Sequence, residues 1–212
     1  MIEKDLPKQI PVFPLRNAIF FPGTILPLNI FEERYIQLVN DCMKEKRLFG
    51  MVQPKNKIFE KPEVYNVGCL GKIVSFNETN DNRFIISLSG IIRFRINDEE
   101  NSEKLYRKFN VTYSEFEKDL EFKKNNIANL KKDNFLKKVQ IFFKKKNYLI
   151  ELKELIKLNF DQLVNTVCMI APFSNEEKQK LIETITIEDR IKLLDEIINF
   201  NLADIHKNKT IQ

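Results

Sequence analysis

The side chains that most often carry out acid–base or nucleophilic chemistry are few and scattered in this chain of 212 residues. Its one histidine, His206, lies close to the end of the sequence, where we expect a solvated imidazole and not the oriented one that a catalytic triad needs. The three cysteines, Cys42, Cys69 and Cys168, are widely spaced and form no C-x-x-C pair. The sequence therefore predicts neither a zinc site nor a disulfide framework.

The sequence also offers no clear site for a phosphate or for paired carboxylates. Gly71 and Lys72 lack the upstream glycine and the following hydroxyl residue of a P-loop, and the chain has only five glycines. The pairs Glu99-Glu100 and Glu176-Glu177 lie beside turns or at helix starts, where solvation or capping explains them. We therefore predict that the chain is not an enzyme and that it uses no cofactor and no metal.

The composition, the charges of the first residues and the unpaired cysteines favour a globular protein of a reducing compartment. Hydrophobic residues make up 43% of the chain and charged residues 31%, and the length suits one large domain or two small ones. The first residues mix both charge signs, and Pro22, Gly23 and Pro27 interrupt the longest apolar run. Neither a secretory signal nor a membrane span is predicted, and with its unpaired cysteines the chain is expected to be cytoplasmic.

The pattern of the first half predicts β structure with one helix. Short apolar or alternating runs predict strands over 10–13, 26–30, 48–52, 64–77, 83–89, 91–96 and 109–116. Apolar residues at helical spacing predict a helix over 32–46. Since no βαβ spacing occurs, these strands favour a small curved β-sheet or pseudo-barrel.

The pattern of the second half is helical. Helices are predicted over 126–146, 160–171, 178–182 and 189–200, with capping residues at Asn159, Ser174 and Thr186. No glycine follows Gly90. The sequence thus predicts an α+β fold in which a β-rich, barrel-like N-terminal subdomain with one inserted helix, 1–117, precedes a C-terminal α-helical bundle, 118–212.

A set of short motifs then suggests a family. They are PLRNAIFFPG at 14–23, LPLNIFEERY at 26–35, VGCLGKI at 67–73, SGIIRFRI at 89–96, EKQKLIE at 177–183 and RIKLL at 190–194. In this order, and over about residues 9–200, they resemble the N-terminal substrate-binding domain of the ATP-dependent Lon proteases. The form of 26–35 is similar to free-standing bacterial Lon-N-like proteins and to the Lon-like domains of some eukaryotic ubiquitin-ligase components. The sequence lacks the ATPase and Ser-Lys protease modules of Lon.

The resemblance implies a non-catalytic module that binds unfolded or hydrophobic polypeptide segments. Its expected role is substrate recognition or adaptor work in protein quality control, with a protease or chaperone as a further partner; the oligomeric state is left open. The apolar motif residues either pack the barrel or line a groove near the subdomain junction. The candidate contacts are Phe20, Phe21, Pro22, Leu26, Pro27, Ile30, Phe31, Arg34, Tyr35 and Arg93, although a solvated strand face is the favoured reading of Arg93.

The net charge of +5 is concentrated in one region. Residues 104–157 contain 15 basic and 7 acidic residues, a surplus of +8, which leaves −3 for the rest. A nucleic-acid-binding accessory protein is therefore the alternative function. Its candidate basic patch consists of Lys131, Lys132, Lys137, Lys138, Lys144, Lys145 and Lys146. Because these cations are all lysines, without the arginine forks that read bases, we favour a solvated helix face over contacts with RNA, an anionic membrane or an acidic protein.

Overall fold

The computed structural model describes residues 6–55, 62–121 and 129–209, with the side chains of 129–130 and 204–209 excepted. The chain forms two compact units, Met1–Phe122 and Lys123–Gln212. The first contains a β-sheet and one α-helix, and the second contains helices, so the predicted α+β fold class is confirmed. The predicted division into subdomains at 117 stays a prediction, and the side chain of His206 lies outside the described residues.

The strands of the first unit form one sheet of six strands in the order β2-β5-β4-β3-β1-β6. The strands are β1 Gln9–Pro14, β2 Ile25–Ile30, β3 Leu48–Val52, β4 Val67–Glu78, β5 Phe84–Glu100 and β6 Arg107–Thr112. β1 and β3 are parallel, and the other pairs are antiparallel. Since β5 also pairs with β6, the sheet closes on itself and buries one face of most strands.

The long strand β5 makes this closure possible. Residues 84–89 pair with β2, residues 95–100 pair with β6, and β4 pairs along most of the strand. Register shifts between Leu70 and Gly71 and between Ile96 and Asp98 mark irregularities where such strands bend. The prediction of separate strands at 83–89 and 91–96 is therefore wrong: Gly90, taken as a break, lies inside one continuous strand.

Gly90 is required because the backbone of the 14–23 motif crosses it closely. Its N–H donates to the carbonyl oxygen of Thr24, and its own carbonyl accepts from Gly23 N–H, both at 3.0 Å. A Cβ at this position would lie 2.0 Å from the backbone oxygen of Phe21. The turn therefore packs directly against the strand, which leaves no room for a side chain.

Gly90→Ala is expected to destabilise the first unit by at least the ~1–3 kcal/mol typical of overpacking, since backbone and not a flexible side chain must move. Urea unfolding followed by circular dichroism measures the change. Ser89→Ala, one residue away and half-buried, serves as the control and should change little. Equal unfolding midpoints for the two variants would show that the turn does not pack closely against β5 at Gly90.

Helix α1, Glu33–Lys44, follows β2 and buries Tyr35, Leu38, Val39 and Cys42. The phenol ring of Tyr35 stacks on Phe13 of β1, with ring centroids 4.0 Å apart. After β6, the strand predicted over 109–116 ends early, at Thr112. A 3₁₀ helix, Ser114–Leu120, replaces its last residues.

The second unit contains α2 Asn129–Lys145, α3 Leu152–Lys157, α4 Phe160–Ile170, α5 Asn175–Glu183 and α6 Ile187–Lys209. The predicted caps at Asn159 and Ser174 are confirmed as complete capping boxes. Thr186 likewise accepts a hydrogen bond from the backbone N–H of Asp189. Helix α3 was not predicted from the sequence, and the start of the helix predicted at 126 lies outside the described residues.

Candidate functional site

The predicted polypeptide contacts divide into core and surface residues. Leu26, Pro27, Phe31 and Arg34 lie at least partly at the surface. The other six are buried: Phe20, Phe21, Pro22, Ile30, Tyr35 and Arg93. A client cannot touch a side chain that the core covers, so the burial corrects the prediction for Phe20, Phe21, Pro22, Ile30 and Arg93. Tyr35 differs because it borders a cavity.

Arg93 is buried, so the solvated strand face predicted for it is wrong. Its side chain is 2% exposed, and its guanidinium donates to both carboxylate oxygens of Asp119, each at 2.8 Å. The Arg93 backbone N–H donates to the same carboxylate at 3.0 Å, and the guanidinium carbon lies 4.4 Å from the Phe116 ring centroid. The 3₁₀ helix therefore covers the strand face that the alternating sequence pattern predicted to be exposed to solvent.

The neighbouring arginine, Arg95, uses the same 3₁₀ helix at the surface. Its guanidinium forms two hydrogen bonds with the carboxylate of Glu115, one of them 2.7 Å long. This contact lowers the pKa of Glu115. Two arginines two residues apart on a strand thus match two acids four residues apart on the 3₁₀ helix. That spacing was the one sequence signal for the ion pairs.

A cavity of about 670 Å³ opens in the first unit. Its walls come from the end of β1 and the loop after it, the start of α1, Pro54, Pro62 and the residues that lead into β6. Phe13, Pro14, Leu15 and Tyr35 provide apolar surface, and Arg16 and Arg34 provide cationic groups. Burial raises the pKa of the Tyr35 phenol, so this ring contributes a neutral surface.

Arg34 is held over the cavity by its neighbours. Its guanidinium carbon lies 4.7 Å from the Tyr35 ring centroid, and its Nη2 lies 2.6 Å from a carboxylate oxygen of Glu32. Both side chains of this ion pair remain more than 40% exposed. The ion pair therefore orients the Arg34 guanidinium. Because both side chains are exposed to solvent, the guanidinium can exchange Glu32 for another hydrogen-bond acceptor.

Part of the cavity wall is formed by Leu105, Tyr106 and Arg107, which sequence reasoning did not identify. Leu105 N–H donates to Gln37 Oε1 at 2.8 Å, and Tyr106 Oη donates to Asp41 Oδ2 at 2.9 Å. Arg107 donates to Glu99 and, at 2.7 Å, to the carbonyl oxygen of Pro62.

The hydrogen bonds to Gln37 and Asp41 attach this part of the wall to α1. The Leu105 side chain remains 55% exposed at the mouth of the cavity. The hydrogen bond from the Lys104 ammonium is the main reason why the pKa of Asp41 is lowered, so this anchor stays charged at neutral pH.

The cavity is lined by apolar side chains and by the charged side chains of Arg16, Arg34, Arg107 and Glu32. Such a lining suits a ligand that has an apolar part and polar flanks. In residues 6–55, 62–121 and 129–209, no cluster of three or more His, Cys, Asp or Glu side chains could hold a metal ion. Across the same ranges, no helix combines the length and the apolar character that crossing a bilayer requires.

The predicted basic patch does not form one continuous stripe. Lys132 Nζ donates to the carbonyl oxygens of Ile156 and Leu158 at 2.6 Å each, and Lys138 forms an ion pair with Asp195. Both lysines therefore stabilise the second unit. The exposed members are Lys131, Lys137, Lys144 and Lys145, and Lys146 is half-buried. Lys131 points away from Lys137 and Lys144, because separations of six and thirteen residues, at 3.6 residues per turn, do not return to the same side of the helix.

Comparison with solved structures defines the class of fold. The chain is similar to the N-terminal domain of the Mycobacterium avium complex Lon protease, with a TM-score of 0.61, 14% identity, and coverage of 91% of this chain and 98% of that one. It is also similar to a Lon N-terminal domain protein from Xanthomonas campestris, with a TM-score of 0.62, 20% identity, and coverage of 88% and 96%. The fold is that of Lon N-terminal domains.

The family follows from the sequence match. The family model of the ATP-dependent protease La (LON) substrate-binding domain matches residues 9–199, and the chain belongs to this family. Curated relatives include Lon protease 2 of Myxococcus xanthus, 26% identical over 93% of this chain. Lon protease of Anaeromyxobacter dehalogenans is 28% identical, also over 93% of this chain. The chain spans about a quarter (24%) of the length of these two relatives.

Proposed function

We propose that this chain recognises unfolded or hydrophobic polypeptide segments and that the cavity of the first unit receives them. The observation that carries the proposal is a cavity lined by both apolar and charged side chains, in a chain of the LON substrate-binding family. An extended segment can place an apolar side chain against Phe13, Leu15 and Leu105, while its backbone carbonyls accept hydrogen bonds from the arginines.

The biological role that we propose is recognition or adaptor work in protein quality control, without catalysis by this chain. The relatives are named Lon protease, and the match to them is confined to about a quarter of their length. A protease or chaperone would then act on the bound client, and the cytoplasm is the compartment that we propose for this role.

Leu105→Asp is expected to weaken binding of an apolar peptide about tenfold or more, because it places a charge at the mouth of the cavity. Fluorescence anisotropy with a labelled peptide from an unfolded protein measures the affinity. The matched control is Ile25→Asp. Ile25 is 53% exposed and Leu105 is 55% exposed, and Ile25 is not among the cavity residues.

Equal losses in the two variants, or no binding by the parent protein at tens of micromolar, would contradict the proposal. Phe31→Asp addresses the remaining exposed aromatic of the motif in the same assay. Phe31 precedes α1, and the Arg83 guanidinium lies 5.9 Å from its ring centroid. Unchanged affinity in this variant would remove Phe31 from the binding site.

The alternative function, nucleic-acid binding, is supported by the exposed lysines of α2 but not by the whole predicted patch, because Lys132 and Lys138 have structural partners. Salt distinguishes the two functions. Affinity for RNA must fall steeply between low and physiological salt, whereas the affinity of the cavity for an uncharged apolar peptide should change much less.

A further inference from the structure

The end of α2 carries exposed apolar side chains next to lysines. Leu149 is fully exposed, at 102%, and Tyr148 is 53% exposed. Lys144 and Lys145 are exposed just before them. We call these four residues the α2 tip. Ile141, one turn earlier on the helix, is also half exposed. Single exposed apolar side chains are common, but neighbouring ones beside charged residues mark a candidate contact surface.

A Schellman motif fixes the shape of the α2 tip. Asn147 adopts a left-handed conformation with φ 60°. Its N–H donates to the carbonyl oxygen of Lys144 at 3.2 Å, and the N–H of Tyr148 donates to that of Phe143 at 3.0 Å. These two bonds end the helix. Phe143 is buried, so the cap attaches the backbone of Tyr148, and with it the start of the exposed segment, to a packed residue of the second unit.

We propose that the α2 tip binds the surface of anionic lipid membranes. A leucine can enter the acyl region, a tyrosine suits the boundary because its ring is apolar and its hydroxyl polar, and lysines remain at the level of anionic headgroups. These three residue types occur within six consecutive residues, 144–149, and are exposed there. The charge of the same stretch of the second unit agrees, since residues 129–157 contain nine basic and three acidic residues, a surplus of +6.

The shape of the α2 tip favours a membrane over a macromolecular partner. An anionic bilayer can accept the exposed Leu149 side chain without a preformed pocket, whereas a protein partner must supply a pocket that fits it. Leu149 offers nothing to a phosphate or a base edge, and the cations of the tip are lysines without arginine forks. A fluid, negatively charged plane accommodates a convex apolar residue surrounded by lysines.

Co-sedimentation of the full chain with vesicles tests the proposal. The expected result is binding to vesicles of phosphatidylcholine mixed with phosphatidylglycerol and little binding to phosphatidylcholine alone. Leu149→Ser should reduce the bound fraction severalfold. Phe200→Ser is the matched control, because Phe200 is an exposed aromatic (71%) of the same unit, and it should bind like the parent protein.

The charge requirement is tested by reversing Lys144 and Lys145 to glutamate, with Lys180 and Lys192, both exposed, reversed as the control of equal net charge. Loss of binding only in the first variant supports the proposal. It is overturned if both reversals act equally, if Leu149→Ser binds normally, or if anionic vesicles bind no better than neutral ones. Binding of RNA or polyglutamate that depends equally on Leu149 would overturn the membrane assignment as well.

Discussion

Asp119→Ala is expected to destabilise the first unit by about 3–5 kcal/mol, the cost of removing one partner of a buried ion pair. Arg93 is 2% exposed and Asp119 10% exposed. Without the carboxylate, the guanidinium would keep its charge in the core and lose two hydrogen bonds, and the Arg93 N–H would lose its acceptor. Chemical denaturation followed by circular dichroism measures the loss.

Glu115→Ala is the matched control, since Glu115 makes the same fork with Arg95 on the same 3₁₀ helix. That pair is well exposed on both sides, so its loss should cost no more than about 1 kcal/mol. The Glu115 pKa is lowered in the folded state; this small contribution is therefore present at neutral pH and lost as pH falls through the lowered pKa.

A second outcome separates pair breaking from pair replacement. The double variant Arg93→Met with Asp119→Leu should recover much of the stability, because it leaves no charge in the core. A cost for Asp119→Ala no larger than that for Glu115→Ala would contradict the account of Arg93 as a buried, charge-dependent link between β5 and the 3₁₀ helix.

Arg190→Ala is expected to cost the second unit about 3 kcal/mol, from lost charged hydrogen bonds and the groups left without donors. Arg190 is 2% exposed. Its Nη1 donates to Asn165 Oδ1 at 2.7 Å, and its Nε donates to the carbonyl oxygen of Leu181 and to Thr184 Oγ1, both at 3.2 Å. One side chain on α6 thus joins α4 to the end of α5.

Native-state hydrogen exchange of α4, α5 and α6 measures this loss within the second unit. Arg190→Lys should not restore protection, because a lysine ammonium cannot reproduce the planar, divergent donors of a guanidinium. Lys192→Ala, at an exposed position two residues away, should stay within about 0.5 kcal/mol of the parent protein. Full protection in Arg190→Ala would show that apolar packing alone joins these helices.

The elements that the sequence predicted well are those that local chemistry decides. The predicted caps at Asn159 and Ser174 depend on residues three positions apart, and both are present. The capping box was predicted at Ser174 only, and Asn159 forms one as well. Gly90 was wrongly predicted to break the strand. A glycine is needed there because the backbone of Phe21, sixty-nine residues earlier in the chain, lies too close for a side chain. No local pattern distinguishes such a glycine from one that ends a strand.

The candidate site was less predictable than the fold, because distant segments build it. Arg34 and Tyr35 belong to the motif that suggested the family, but Leu105 reaches the same cavity through a hydrogen bond to Gln37. Apolar motif residues such as Phe20 and Phe21 turned out to fill the core. These motif residues therefore identified the fold. Which of their side chains remain exposed depends on the distant segments that pack against them.

The most direct test of the proposed function is to map the peptide-binding surface. In a ¹⁵N NMR titration of the full chain with an apolar, unfolded peptide, we expect the largest amide shifts at Leu15, Arg34 and Leu105, around the cavity of the first unit. Ile25 and Ile85 on the outer face of the sheet should shift little. Shifts that cluster on that face or in the second unit, or no shifts at saturating peptide, would contradict the assignment of this cavity as the polypeptide-binding site.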